Sequence, residues 1–88
     1  DRQAFLRREF ELPPNARVAS ALIRGTADNR FRLYVNGVLI GQGDAWEQTY
    51  KFNVASRLTP GKNVLTVAAG NDGGPCGARF SLRVELKG

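Results

Sequence analysis

Apolar and polar side chains alternate at every second position through most of the chain, with turn-forming residues between the runs. The clearest run is C-terminal: Ala78, Phe80, Leu82, Val84 and Leu86 alternate with Arg79, Ser81, Arg83, Glu85 and Lys87. A period of two describes a strand with one enclosed face and one wetted face. Ala4 to Leu12 repeats the pattern, placing Leu6, Phe10 and Leu12 on one side and Arg7, Glu9 and Glu11 on the other. Arg17 to Thr26 follows a Pro13-Pro14-Asn15 turn and reads as a further strand. Val64 to Ala69 is apolar almost without a break, which predicts a central strand covered on both faces. Lys51 to Val54 predicts a short strand running into one helical turn at Ala55 to Leu58. Thr59-Pro60-Gly61-Lys62 is then a turn, since proline presets φ and glycine accepts the positive φ that follows.

The strongest local signal is Phe31-Arg32-Leu33-Tyr34-Val35-Asn36-Gly37-Val38-Leu39-Ile40. Asn-Gly between apolar runs is the preferred two-residue type I′ turn, because both central positions need φ > 0. With Asn36 and Gly37 in the turn, Val35 faces Val38, Tyr34 faces Leu39 and Leu33 faces Ile40. Phe31, Leu33, Val35, Val38 and Ile40 then form the core side, and Arg32, Tyr34 and Leu39 the outward side.

No stretch of ten residues follows a helical period. The prediction is an all-β antiparallel sandwich or barrel of about seven to eight short strands. The 88 residues fit one domain, 1–88, and scaling laws have folding bury about 63% of the unfolded chain's surface. That supports a thin core and leaves little room for a deep catalytic cleft. No apolar run approaches 18 residues and no basic-then-apolar leader opens the chain, so neither a membrane span nor a signal peptide is expected. Patterned sequence starts at the first residues, and the expectation is a module excised from a longer protein.

Charge changes this picture less than its size suggests. The net charge is +5, carried by thirteen basic residues, and such a balance points first to nucleic acid. The ten arginines are scattered from Arg2 to Arg83, with Glu9, Glu11, Asp28, Asp44, Glu47 and Glu85 among them. No run of five or six like charges forms a basic tail, so an arginine-biased solvated surface is the better reading. Histidine is absent, which removes the commonest general base and zinc ligand. Cys76 is the single cysteine, excludes an internal disulfide and suits a Gly-rich turn.

Several motifs occur in a familiar order. An opening Arg8-Glu9-Phe10 strand and an Ala-x-x-x-Ile strand precede Ala-Asp-Asn-Arg-Phe-Arg-Leu-Tyr-Val-Asn-Gly at 27–37. Trp46 follows nine residues after Gly37. Next come Phe52, then Leu58-Thr59-Pro60-Gly61-Lys62-Asn63-Val64-Leu65, then Asn71-Asp72-Gly73-Gly74 before the last strand. Over roughly residues 5–86 this resembles the galactose-binding-like jelly-roll modules of bacterial glycoside hydrolases. The nearest kinds are the N-terminal accessory domain of α-L-rhamnosidases and the sugar-binding domain of family 2 glycosidases. The resemblance implies an antiparallel β-sandwich of jelly-roll type, in a secreted bacterial protein, extracellular or periplasmic. It also implies neighbouring domains in the same chain as partners.

Catalysis has little support. Glycosidases need two carboxylates at a fixed separation, and none of the eight acids sits in such a motif. The serines have no histidine to activate them, and Gly-x-Ser-x-Gly is absent. A binding role for polysaccharide needs an aromatic platform beside fixed hydrogen-bond formers. The candidates are Tyr34 and Trp46, together with Arg24, Arg32, Asn71 and Asp72, with Tyr50 as a further aromatic. Each has a structural alternative. Trp46 suits a framework residue closing the end of the sandwich, Tyr34 a ring covered by arginine stems, and Asn71-Asp72-Gly73-Gly74 an ordinary turn. No cofactor is expected. Related modules often carry a structural calcium, and Asp28, Asp44 and Asp72 would be its acids here, without the Asp-x-Asp-x-Asp spacing. The reading is a non-catalytic carbohydrate-binding module. The alternative is a structural or protein-docking domain with an apolar patch around Leu22 and Leu39, and nucleic acid is disfavoured.

Overall fold

A computed structural model describes residues 2–28, 30–43, 49–71 and 77–87, with side chains from 5–26, 30–43, 49–70 and 79–87, and the described residues form seven strands. They are β1 (Arg2–Leu12), β2 (Val18–Asp28), β3 (Arg30–Val35), β4 (Val38–Gly43), β5 (Tyr50–Asn53), β6 (Gly61–Asn71) and β7 (Gly77–Leu86). One 3₁₀ turn, Ala55–Arg57, lies between β5 and β6. The strands form a four-stranded sheet in the order β1-β6-β3-β4 and a three-stranded sheet in the order β5-β2-β7. Every pairing is antiparallel. The first half of the chain is laid against the second through the nested pairs β2–β7 and β3–β6, as in a jelly roll. Four strands reach ten or eleven residues, longer than the short strands expected.

Alternation assigns the faces. Ala21 and Ile23 from β2 meet Phe31, Leu33 and Val35 from β3 and Val67 and Ala69 from β6, with Val54 beside them, and all are buried. Phe80, Leu82 and Val84 from β7 are half-buried against this core. At one end four rings gather: Phe31 lies 4.7 Å from Tyr50, 6.2 Å from Phe52 and 5.2 Å from Phe80, centroid to centroid. The edge-to-face geometry of the Tyr50 and Phe52 pairs, and the tilted approach of Phe80, add to the burial of each ring.

Three expectations need correction. β6 is central in its hydrogen bonding, between β1 and β3, but only one of its faces is enclosed. Val64, Thr66 and Ala68 on the other face are half-buried. Val38 is 42% exposed, because the hairpin tip projects past the facing sheet. The hairpin register holds for Val35–Val38 and Tyr34–Leu39 and then shifts, so that Leu33 faces Gly41 and not Ile40. A bulge at Ile40 explains the shift. Without it Gln42 would point at the core opposite Phe31; with it Gln42 turns outward opposite Arg32. Gly41 and Gly43 then take the inward positions. A Cβ on Gly41 would collide with the Phe52 ring, so this site requires glycine for close approach.

A polar knot centred on the buried Asn63 ties the turns together. Asn36 adopts φ 50° and Gly37 φ 81°, as a type I′ turn demands. The Asn36 Nδ2 donates to Asn63 Oδ1 (2.9 Å) and to the Arg57 carbonyl (2.9 Å). Its Oδ1 accepts from the Val64 amide (2.8 Å). Asn63, fully buried, accepts from the Thr59 amide (2.9 Å) and donates to the carbonyls of Thr59 (2.8 Å) and Gly61 (3.2 Å). The hairpin tip, the 3₁₀ turn and the entry to β6 are thereby one unit.

Candidate functional site

The outward face of the four-stranded sheet carries the most distinctive side chains. Strand pairing arranges them in rows across the strands. One row is Phe5–Ala68–Arg32–Gln42 and the next is Arg7–Thr66–Tyr34–Leu39. Arg30 faces Gly70 at the edge of the same surface. Small residues on β6 thus lie between large ones on β1 and β3. The result is a groove of about 660 Å³, with Ala68 and Gly70 as floor and Phe5, Arg30, Arg32, Tyr34 and Gln42 as walls. Phe5 is 70% exposed, which leaves an aromatic face open to a ligand.

Electrostatics divide the face in two. Further along β1, Glu9 pairs with Arg7 (2.8 Å) and Lys62 (3.6 Å). The Arg7 hydrogen bond, and then the charges of Lys62 and Arg7, hold its carboxyl below the ordinary 4.5. At the groove end the described lining residues include two guanidinium groups, Arg30 and Arg32. Aromatic faces beside planar cations and an amide suit the apolar faces and oxygen rims of a sugar.

The structure brings together only part of the expected set. Tyr34 and Arg32 share the groove. Arg24 does not join them: it is exposed on β2, paired with Lys51 and Ser81 on the outside of the other sheet. The chain passes from one sheet to the other between β2 and β3 instead of pairing them, which separates the proposed cluster. Trp46, Asp72, Asp44 and Cys76 lie outside the described residues. So do the side chains of Asn71 and Asp28, whose backbones end β6 and β2. Tyr50 is committed to the interior ring cluster, with its ring parallel to Phe52. Leu22 and Leu39 are exposed on opposite outer faces and form no common patch. Sequence reasoning missed Phe5, Arg30 and Gln42. Phe5 shares its parity with Arg7 and Glu9, and an aromatic on the polar face was the available signal. Among the described residues no group of three His, Cys, Asp or Glu could hold a metal ion, and no helix is long and apolar enough to cross a membrane.

A second cavity, about 860 Å³, opens between the sheets along β1 and β7. Leu6, Phe10, Leu65, Phe80, Leu82 and Val84 line it, with Arg8 and Arg79 also on its walls. It marks where the four-stranded sheet overhangs the three-stranded one.

Residues 2–74 match the family described as the beta-galactosidase second all-beta domain. The chain belongs to that family. A beta-galactosidase of Arthrobacter sp. (strain B7) is 35% identical over 65 residues, covering 69% of this chain and 6% of that protein. The solved α-L-rhamnosidase of Streptomyces avermitilis, complexed with L-rhamnose, superposes with a TM-score of 0.84 at 25% identity. It covers 96% of this chain and 9% of its own. The beta-glucuronidase of Bifidobacterium dentium, complexed with coumarin-3-O-glucuronide, gives 0.63 at 29% identity over 75% of this chain and 11% of its own. The domain therefore spans about a tenth or less of the glycoside hydrolases it matches, and its type is that of their accessory β-sandwich domains.

Proposed function

We propose that this domain is a non-catalytic carbohydrate-binding module of a secreted bacterial carbohydrate-active protein, working outside the cell or in the periplasm beside other domains of its parent chain. The groove carries this reading: Tyr34 and Phe5 offer ring surface, and Arg32 and Gln42 offer hydrogen-bond donors across one row of the sheet. Among the described residues the acids Glu9, Glu11 and Glu85 are exposed strand residues outside the groove. Isothermal calorimetry of the 88-residue chain against neutral and acidic polysaccharides tests the proposal. Binding weakened by Tyr34→Ala, with circular dichroism unchanged, supports it. No heat with any glycan at millimolar sugar leaves the second reading in its place.

That second reading is a bracing or docking domain, and the open seam between β1 and β7 favours it. Apolar side chains exposed along an uncovered sheet face are the usual mark of a surface that another domain covers.

A further inference from the structure

We infer that the seam between β1 and β7 receives one extended strand from another part of the parent chain, added to the edge of β7, with an acidic side chain directed at Arg8. This rests on the docking reading of the seam and adds the partner's conformation and charge. β7 ends the three-stranded sheet and pairs only with β2 among the described residues. Such an edge presents a row of backbone donors and acceptors that a further strand satisfies. Arg79 and Ser81, from the outward face of β7, line the seam together with Phe80, Leu82 and Val84 from its inward face. The cavity therefore reaches round the edge itself.

Across from that edge lies the inner face of β1, where Leu6, Arg8 and Phe10 alternate opposite Val67, Leu65 and Asn63 of β6. Leu6 and Arg8 are exposed there and Phe10 is half-buried. One more strand beside β7, at a single spacing of about 4.8 Å, lies under this face and makes the sandwich four over four. Leu6 to Phe10 spans about 13 Å, the length that about five strand residues cover. Alternate apolar side chains of the added strand meet Leu6 and Phe10, and the position between them meets Arg8. An inward charge on an edge strand turns away wholly apolar strands. Arg8 thus selects a strand with a carboxylate at that position and fixes its register.

A second copy of this chain supplies no such strand. Its edge strands β1, β4, β5 and β7 hold only Glu9, Glu11 and Glu85 as acids, all at outward positions. A net charge of +5 also opposes self-association. The matched α-L-rhamnosidase, by contrast, is covered over only 9% of its length, and a segment tethered in the same chain needs little intrinsic affinity.

The test is fluorescence anisotropy of labelled peptides of about nine residues, titrated with the 88-residue chain into the millimolar range. The strand probe alternates valine and threonine, with glutamate at the centre of the valine face. Companion peptides carry lysine there, a scrambled order, or the order of an amphipathic helix. The glutamate peptide should bind at least about tenfold more tightly than the lysine and scrambled ones, and Arg8→Glu should invert the glutamate–lysine preference. Leu6→Asp should weaken binding about tenfold, and Leu39→Asp on the outward face of β4 less than about twofold. If circular dichroism shows Leu6→Asp unfolded, Leu6→Ser reads the same loss. Isotope-edited infrared spectra should show the bound peptide gaining strand hydrogen bonds. A scrambled peptide bound equally well, or a preference unmoved by Arg8→Glu, overturns the inference. A helical peptide bound more tightly through Leu6, or a dimer in sedimentation that Leu6→Asp dissociates, overturns the added strand and leaves docking standing. Silence from every peptide also overturns it. A hydrophobic dye that still binds through Leu6 then keeps the docking reading, and a silent dye removes that reading too.

Discussion

Asn63 illustrates how a single side chain can hold several turns. Its amide is fully buried and engages Asn36, Thr59 and Gly61. Sequence inspection assigned Asn36 to a turn for its backbone alone; its side chain also reaches the Arg57 carbonyl and the Val64 amide. Replacing Asn63 with leucine removes the acceptor of the Thr59 amide and one of the two acceptors of the Asn36 Nδ2, and takes the side-chain donor from the Thr59 and Gly61 carbonyls. The expected cost is about 2–4 kcal/mol, since each stranded polar group carries its own desolvation penalty. Urea unfolding should show this as a lower midpoint with an unchanged slope. A slope that falls with the midpoint would mean a loosened native state, and a midpoint that stays put would remove the knot's importance.

At the level of elements, the β3–β4 hairpin shows what a turn can and cannot dictate. Asn36-Gly37 fixes the pairs beside it, because left-handed φ values are a local demand. Two residues further on, the register answers to the opposing sheet. The Tyr50 and Phe52 rings fill the space that Gly41 and Gly43 vacate, so the bulge is set by volume across the core. Gly41→Val should destabilise the domain by about 1–3 kcal/mol through overpacking. Thermal unfolding measures the loss, and near-ultraviolet circular dichroism should change with it as the Tyr50 environment shifts. A variant as stable as the parent with an unaltered aromatic signal would refute this packing account. The two-sheet crossing between β2 and β3 belongs to the same scale. Both strands read as ordinary alternating ribbons, and nothing in either says that they pair with different partners, which is why Arg24 was grouped with Tyr34 and Arg32.

The molecule as a whole is longer and more exposed than its mass requires. It measures 46 × 20 × 16 Å with a radius of gyration of 13.7 Å, against about 12 Å for a compact domain of this length. Its 5887 Å² of accessible surface exceeds the roughly 5,100 Å² that the size scaling gives. The excess has a visible source in the four-over-three arrangement of sheets, where the inner face of β1 overhangs the edge of β7 and Leu6 stays 47% exposed. Leu6→Ser should therefore cost less than about 1 kcal/mol, far below the penalty of deleting an enclosed leucine. It should also lower the binding of a hydrophobic dye to the seam. A loss of several kcal/mol in urea would show instead that the seam is closed in solution and that Leu6 is core.

The sequence by itself determined what is repeated locally: the strands, most of their inward and outward faces with Val38 and the outer face of β6 as exceptions, the Asn36-Gly37 turn, the Pro13-Pro14-Asn15 turn and the family resemblance. Period-two alternation and positive φ are properties of neighbouring residues, so they can be read one segment at a time. Tertiary structure alone decided which strands share a sheet, where the hairpin slips, and which outward side chains become neighbours. Those outcomes depend on volumes and hydrogen bonds between residues far apart in the chain. Arg32 and Tyr34 were legible because they share a hairpin with a fixed tip. Phe5 joined them only because β6 inserts between β1 and β3 and carries small residues where the groove needs a floor.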